Sequence, residues 1–371
     1  MTRVLITGAR APAALHLARL MDGAGHHVVM ADSLRRTVGA ASKACAAFVP
    51  LPAANGDPVA YGRAVKQAVA DHDIDLVIPT CEEVFHLAAL WSKGDMGVPL
   101  FAPPLGVLAR AHSKFAFVEL ARSLDLGVPR TRLLTSQADL AALDLRPAQL
   151  VFKPVWSRFA TRVKLRPKAV TIVPSPQDPW VAQDFVSGTE VCVYAVAHAG
   201  EVTALAAYRP VYRAGGGAGI AFLPDTDPQI ATYVRRFVQG TGWTGQVSFD
   251  MIRKAGGDIL AIECNPRATS GIHFFRAPAA FAKALLSGQA VQPDVNGLQA
   301  VKAALALYGP FQRPLKVWQD LRTAQDVMFW PDDPAPARAQ WGATREVAAV
   351  AARHRIGLVA ATTHDIAWNG D

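Results

Sequence analysis

Asp250, Glu263 and Asn265 are the residues of this chain best placed to do chemistry, because their spacing gathers hard oxygen donors onto one face of a hairpin. Side chains alternate across an extended strand, so Gln246, Ser248 and Asp250 share one side while Val247, Phe249 and Met251 share the other. Only the second side wants a core. In the next run Leu260, Ile262 and Cys264 are expected to point one way, and Glu263 and Asn265 together the other. A turn at Gly256-Gly257 would then fold Asp250 back against both. Two carboxylates and an amide oxygen, followed by a strand-stopping Pro266 and by Arg267, form an oxygen cluster beside a fixed cation. That set suits hydrated Mg²⁺ held against phosphates better than zinc, which prefers nitrogen and sulfur. A single acid at a strand end is commonly a solvated or capping group, so the constellation carries the reading and no one member does.

The rest of the chain must position this cluster. At 371 residues it is too long for one ordinary core and implies two or three domains or subdomains. Lys plus Arg number 38 against 30 Asp plus Glu, but the basic residues are scattered, so no nucleic-acid partner is indicated and the net +8 fits an anionic small ligand or plain solubility. The four cysteines, Cys45, Cys81, Cys192 and Cys264, have no paired spacing; they predict neither a zinc site nor a disulfide framework and fit a reducing cytoplasm. The N-terminus reads as structure and not as a targeting signal, and no apolar stretch approaches bilayer length, so no membrane partner is expected.

Val4-Leu-Ile6, a turn at Gly8, a helix to about Ala24 and a second strand ending at Asp32 make a β-α-β opening. Further helices at 58–72 and 82–91 alternate with strands at 76–79 and 99–102, which predicts a parallel sheet. A dinucleotide fingerprint would need three glycines where Gly8 stands alone, and Pro12 sits where a phosphate-facing helix should begin. Asp32 fits ribose binding and equally a helix cap. Next come a helix at 113–124, a capped helix start at Ser136-Gln-Ala-Asp139, and a strand that ends in Lys153-Pro154. A strand-end lysine ordinarily snorkels to water, but here the donor-rich loop 156–162 follows, and a phosphate-gripping hairpin is expected. Glu190 opens the second strand of a hairpin turned at Ser187-Gly188. The 209–219 stretch reads as a glycine-rich loop whose Arg209 and Arg213 suit anion binding, and a helix at 228–240 follows. The segment from about 294 onward, including an amphipathic helix at 344–354, has no function that follows from its residues.

Taken in order, Lys114, Lys153 in Val-Phe-Lys-Pro, Gln183 with Glu190, Asp250 with Glu263, and Glu263-Cys-Asn-Pro-Arg267 resemble the ATP-grasp superfamily, and most closely the carbamoyl-phosphate synthase large-chain-like ligases. The resemblance covers about residues 1 to 290. It implies an α/β chain: a Rossmann-like pre-ATP-grasp domain (1–110), two α+β subdomains clasping ATP (111–178 and 179–293), and a C-terminal segment of unknown role (294–371). It further implies that Lys114 and Lys153 contact the ATP phosphates, that Gln183, Asp184, Phe185 and Val186 form an adenine-reading hinge, and that Glu190 holds the ribose. Asp250, Glu263 and Asn265 would bind two Mg²⁺ ions, with Mn²⁺ as a substitute, and Arg267 would stabilise the transferred phosphoryl group or the tetrahedral intermediate.

The reaction so implied is activation of a carboxylate as an acyl phosphate, displaced by an amine with release of ADP and phosphate, in a cytoplasmic protein with room for a homodimer. The acceptor pocket is expected among Arg209, Arg213, Gly216, Gly217, Ser270, Gly271 and His273. One departure stands out: the family's phosphate loop is glycine-rich, whereas 156–162 has no glycine, so Ser157, Arg158 and Thr161 must substitute or turnover is weakened. Two other readings stay open, a catalytically silent ATP-binding module and an NAD(P)-dependent oxidoreductase using the first domain.

Overall fold

The computed structural model describes residues 1–94, 96–144, 146–158, 162–215 and 217–370. Its first sheet holds β1 (Arg3–Thr7), β2 (His27–Asp32), β3 (Ala47–Pro50) and β4 (Leu76–Ile78), all parallel, in the order β3-β2-β1-β4. These strands are apolar on both faces because both are covered. Val4, Ile6 and Met30 pack with the helix Pro12–Gly23, while Leu5, Val29 and Val77 pack with the helix Pro58–Asp71. Leu100 adds a parallel bridge to Val77, where a further strand was expected. Gly8 turns the chain at φ +78°, and a Cβ there would sit 2.6 Å from Thr80 Oγ1. The glycine is therefore required by the β1–β4 approach.

The second sheet is small and antiparallel: β5 (Thr131–Leu134), β6 (Leu150–Pro154), β7 (Lys164–Leu165) and β8 (Trp180–Asp184), in the order β5-β8-β6-β7. Leu134, Leu150, Phe152, Trp180 and Ala182 fill its core on one face. Lys153, next to Phe152, must therefore leave from the other face.

The third sheet runs β13-β12-β9-β10-β11-β14-β15, built from β9 (Thr189–His198), β10 (Glu201–Ala214), β11 (Ala218–Asp225), β12 (Gly245–Arg253), β13 (Ile259–Asn265), β14 (Gln299–Ala300) and β15 (Gln325–Asp326). Val191, Val193, Val247, Phe249 and Met251 face the helices Lys114–Ser123 and Pro228–Thr241, whereas Cys192, Tyr194, Ala206 and Tyr208 face the opposite core with Phe274 and the N-terminal helix. The expected 209–219 loop is instead a hairpin: β10 runs to Ala214 and pairs with β11, with register shifts between Pro210 and Arg213. Branched and aromatic Val211 and Tyr212 carry the strand through to Ala214, and Gly215 follows at φ +61°.

The helix expected at 344–354 is longer, spanning Ala335–His354, and beyond it Ile366 joins the core of the first sheet with Leu5, Val29 and Val77. Trp368 stacks on Phe85 with ring centroids 4.7 Å apart. Among the described residues no helix is long and apolar enough to cross a membrane.

Candidate active site

The β12–β13 hairpin sets Ser248 opposite Asn265, Phe249 opposite Cys264 and Asp250 opposite Glu263. Its turn is closed by Lys254 N–H donating to Asp258 O at 2.9 Å, with Gly257 at φ +92°, as a hairpin turning near Gly256-Gly257 requires. The register then slips. Met251 pairs with Ala261, so Ile262 is an extra residue in β13. This bulge corrects the expected face assignment: Ile259, Ala261 and Cys264 share the core, while Leu260 and Ile262 are half-buried. The slip leaves Glu263 opposite Asp250 and frees the Ile262 carbonyl, which accepts from Lys153 Nζ at 3.4 Å.

Two lysines converge on this hairpin from the second sheet and its preceding helix. Lys153 Nζ also donates to Gln183 Oε1 at 2.9 Å, and Gln183 Nε2 donates to Thr131 Oγ1 at 3.1 Å. Burial pulls the Lys153 ammonium down to about 8, against the opposing pull of Glu263. Lys114 opens the helix Lys114–Ser123, capped by Ser113 Oγ. Its Nζ donates to Ser157 O at 2.9 Å and lies 3.4 Å from Glu263 Oε1. Burial and the neighbouring Glu263 push Asp250 up to about 6. Both effects disfavour the ionised Asp250, and a hard cation held between the two carboxylates would offset them.

The donor set fits a hard divalent ion. Asp250 and Glu263 offer carboxylate oxygens, and Asn265 offers Oδ1, now receiving Arg267 Nη2 at 3.2 Å, while its Nδ2 donates to Asp250 Oδ2 at 3.2 Å. Among the described residues no three His, Cys, Asp or Glu side chains gather as a metal cage. Two carboxylates and an amide oxygen would leave the remaining positions to phosphate oxygens and water, as Mg²⁺ prefers. Arg267 is steadied from below: Ser248 Oγ donates to its carbonyl at 2.9 Å and meets Thr269 Oγ1 at 2.9 Å, and Tyr208 OH reaches Thr269 at 3.2 Å. Tyr208 and Thr269 were not singled out from sequence. Ser248 and Gln246 were visible as the even-numbered polar positions before Asp250. Gln246 Nε2 donates to Pro79 O at 2.8 Å and so ties the hairpin to the first sheet.

Other expected site residues are placed as follows. At the expected hinge, Asp184 N–H and Phe185 N–H donate to Arg130 O and Gln149 O at 2.9 Å each, and the Gln183 side chain faces Lys153. Val186 follows, half-buried. Glu190 is paired with Arg213, whose Nη1 also donates to Gly217 O at 2.7 Å. Arg209 lies on the opposite face of the sheet from Asp250; it pairs at 3.2 Å with Asp225, which Arg253 also holds. Strand alternation at Tyr208-Arg209 sends it there.

Arg158 is tied to Glu82 and to the Trp368 carbonyl, and Ser157 Oγ donates to Pro154 O at 3.3 Å. Ser270 is half-buried beside Gly271, where a Cβ would lie 2.5 Å from Tyr194 Cβ. His273 is outside the cluster: it is buried, with Nδ1 3.0 Å from His16 Nδ1 and its ring stacked on Phe222. Gly216 and Thr161 lie outside the described residues.

The dinucleotide position of the first sheet is filled by the chain itself. Arg10 Nη2 meets Asp32 Oδ1 at 2.5 Å and Arg10 Nη1 meets Asp365 Oδ1 at 2.6 Å, while Ser33 bonds Asp365. The space left among Thr7, Gly8, Asp32 and Tyr61 is about 10 Å³, room for one water.

No protein-family model and no curated protein matches the sequence. Solved structures do match the fold. The L-amino acid ligase from Bacillus licheniformis superimposes over 77% of this chain and 74% of its own at 16% identity, with a TM-score of 0.56. N5-carboxyaminoimidazole synthetase from Staphylococcus aureus gives 12% identity, 80% of each chain and a TM-score of 0.60. The biotin carboxylase domain of Hydrogenobacter thermophilus 2-oxoglutarate carboxylase, solved with MgADP, ADP and bicarbonate, gives 12% identity, 80% of this chain, 73% of its own and 0.61. The shared architecture is the ATP-grasp fold behind a Rossmann-like parallel sheet.

Proposed function

We propose that this chain is an ATP-dependent ligase that activates a carboxylate as an acyl phosphate and passes the acyl group to an amine. The observation that carries the reading is the meeting of Lys114, from the helix Lys114–Ser123, and Lys153, from β6, with the β12–β13 hairpin that bears Asp250, Glu263 and Asn265. Lys114 and Lys153 would bind phosphate oxygens, and Asp250, Glu263 and Asn265 would hold two Mg²⁺ ions. Those ions would neutralise the β- and γ-phosphates when bound.

Arg267, anchored at Asn265, would meet charge on the transferred phosphoryl group. The substrate carboxylate oxygen attacks the γ-phosphorus and the bond to ADP breaks. The amine nitrogen then attacks the acyl carbon, phosphate leaves with the C–O bond's electron pair, and the amine proton passes to water or phosphate. No protein nucleophile is needed, which agrees with the absence of a Ser-His-Asp or Cys-His arrangement in the sequence. Glu190 would hold the ribose after parting from Arg213, and the hinge at 183–186 would read adenine. The acceptor side is proposed near Arg213, Ser270 and Gly271; Arg209 and His273 are left out because they face elsewhere.

The test is ADP release with paired libraries of carboxylic acids and amines, in Mg²⁺ and then Mn²⁺. ATP binding without stimulation by any pair counts against the ligase. It would favour the second reading, a silent nucleotide binder, for which one observation speaks: Arg158, in the glycine-free loop, is engaged by Glu82 and by the C-terminal Trp368 and Asn369. The oxidoreductase reading is disfavoured by Arg10 and Asp365, which occupy its cofactor position.

A further inference from the structure

The segment between β14 and β15 has two apolar faces, and among the described residues only the inner one is packed. It consists of the helix Lys302–Tyr308, a 3-10 turn at Gly309–Phe311 and the helix Val317–Thr323. Its inner face is accounted for: Leu305, Val317 and Ala324 pack on Tyr212, Ile220, Ala221 and Ala300. The outer face carries Leu307 at 63% exposure, Phe311 at 87%, Leu315 at 96% and Trp318 at 60%, with Tyr308 beside them. Five large apolar side chains within twelve residues are not the scatter expected of an ordinary surface.

The exposed charges of the segment itself have one sign. Arg313, Lys316 and Arg322 are exposed, and none of the three makes a salt bridge among the described residues. The single acid between Lys302 and Gln325 is Asp320, which is buried and accepts from Tyr212 OH at 2.7 Å. A two-fold pairing of copies through this face would oppose the same three cations across the contact, so a second copy is disfavoured. Shape argues the same way. Phe311 and Leu315 stand almost wholly in solvent, which leaves a folded partner little to grip but suits a fluid interface into which single side chains insert.

We propose that this face docks the protein peripherally on an anionic lipid surface: Phe311, Leu315 and Trp318 enter the headgroup–acyl boundary, and Lys316 and Arg322 meet lipid phosphates. The expectation of no membrane partner rests on spanning length, and this device does not span. The docking face is also linked to the nucleotide cleft. Gln312 Oε1 accepts from Arg213 N at 3.0 Å and its Nε2 donates to Arg213 O at 2.7 Å, on the residue that pairs with Glu190.

Co-sedimentation of the whole chain with phosphatidylcholine vesicles, and with vesicles containing phosphatidylglycerol, tests the proposal independently of any ligase activity. The protein is expected to pellet with the anionic vesicles and not with the neutral ones. K316Q/R322Q, both on the exposed surface, should weaken binding about thirtyfold, about fivefold per charge. F311S/L315S should abolish it while circular dichroism and ATP binding stay unchanged. Absence of sedimentation, equal binding to both vesicle types, or indifference to both variants overturns the proposal. So does a solution dimer that F311S/L315S dissociates, or capture of an acidic protein without lipid binding.

Discussion

Asp250 and Glu263 face each other in register across the β12–β13 hairpin, the last matched pair before the bulge at Ile262. Burial, and then the neighbouring Glu263, raise Asp250, and the buried Lys114 stands 3.4 Å from Glu263. Glu263→Gln keeps the shape and removes the charge. If the pair holds the metal ions, ADP release should fall roughly a hundred- to a thousandfold while nucleotide still binds. Adding Asp250→Asn should cost little more, because the two act as a unit. Stopped-assay ADP measurements beside an ATP titration decide it; unchanged turnover in Glu263→Gln would remove the hairpin from the chemistry.

Lys153 is held by Gln183 Oε1 and Ile262 O in a buried slot that methionine can fill. Lys153→Met should weaken ATP binding about thirtyfold, the loss of one charge-assisted contact worth about 2 kcal/mol. Stability should fall by about 1 to 2 kcal/mol, since Gln183 loses its donor. Calorimetric titration of ATP and urea unfolding separate the two effects, and a variant that binds ATP normally would assign Lys153 to structure alone.

The parts of this site that were legible in the sequence are those set by local pattern. Polar residues at every second position before Asp250, a Gly-Gly turn and the Glu-x-Asn spacing are enough to predict the hairpin, and the apolar runs at Val4 and His27 are enough to predict the parallel sheet. What alternation could not convey is a phase slip. Ile262 looks like any strand residue until Met251 is seen to pair with Ala261, and the shifts around Tyr212 likewise hid that Arg213 reaches Glu190 while Arg209 turns away. Contacts between distant segments leave no local signal either: Arg158 with Glu82, Arg10 with Asp32 and Asp365, and His16 with His273.

The His16–His273 pair makes the fold acid-sensitive. His16 Nε2–H donates to Phe275 O at 2.7 Å, which leaves its Nδ1 to accept from His273 Nδ1–H at 3.0 Å, so both rings are neutral. Burial, and then the charges of Arg276 and Arg19, lower His16 to about 3; burial, His16 and the same arginines lower His273 well below its usual value. Because the folded values lie below the unfolded one, this stability is fully present above about pH 6.5 and is lost as pH falls beneath it, by at most about 1.4 kcal/mol per pH unit for each ring. Thermal midpoints at pH 7.5 and 5.5 should diverge for the natural chain and draw together in H16L/H273L, apart from the shares due to His112, His86 and His26.

Trp368 closes the molecule over the loop that follows Lys153. It is 7% exposed, lies parallel to Phe85 and edge-on to Trp156 at 5.2 Å, and offers its carbonyl to Arg158. Trp156 precedes Ser157, whose carbonyl receives Lys114 Nζ at 2.9 Å, so the tail braces a lysine of the proposed phosphate site from behind. Trp368→Ala should destabilise the fold by about 3 to 5 kcal/mol, as truncation of a buried aromatic does, and Trp368→Phe should restore most of it. With the brace gone, KM for ATP should rise more than kcat falls, because Lys114 loses orientation while Asp250 and Glu263 keep theirs. Urea unfolding and steady-state ADP release on the two variants test both statements; a Trp368→Ala protein within about 1 kcal/mol of the natural chain would mean the tail only rests on this surface.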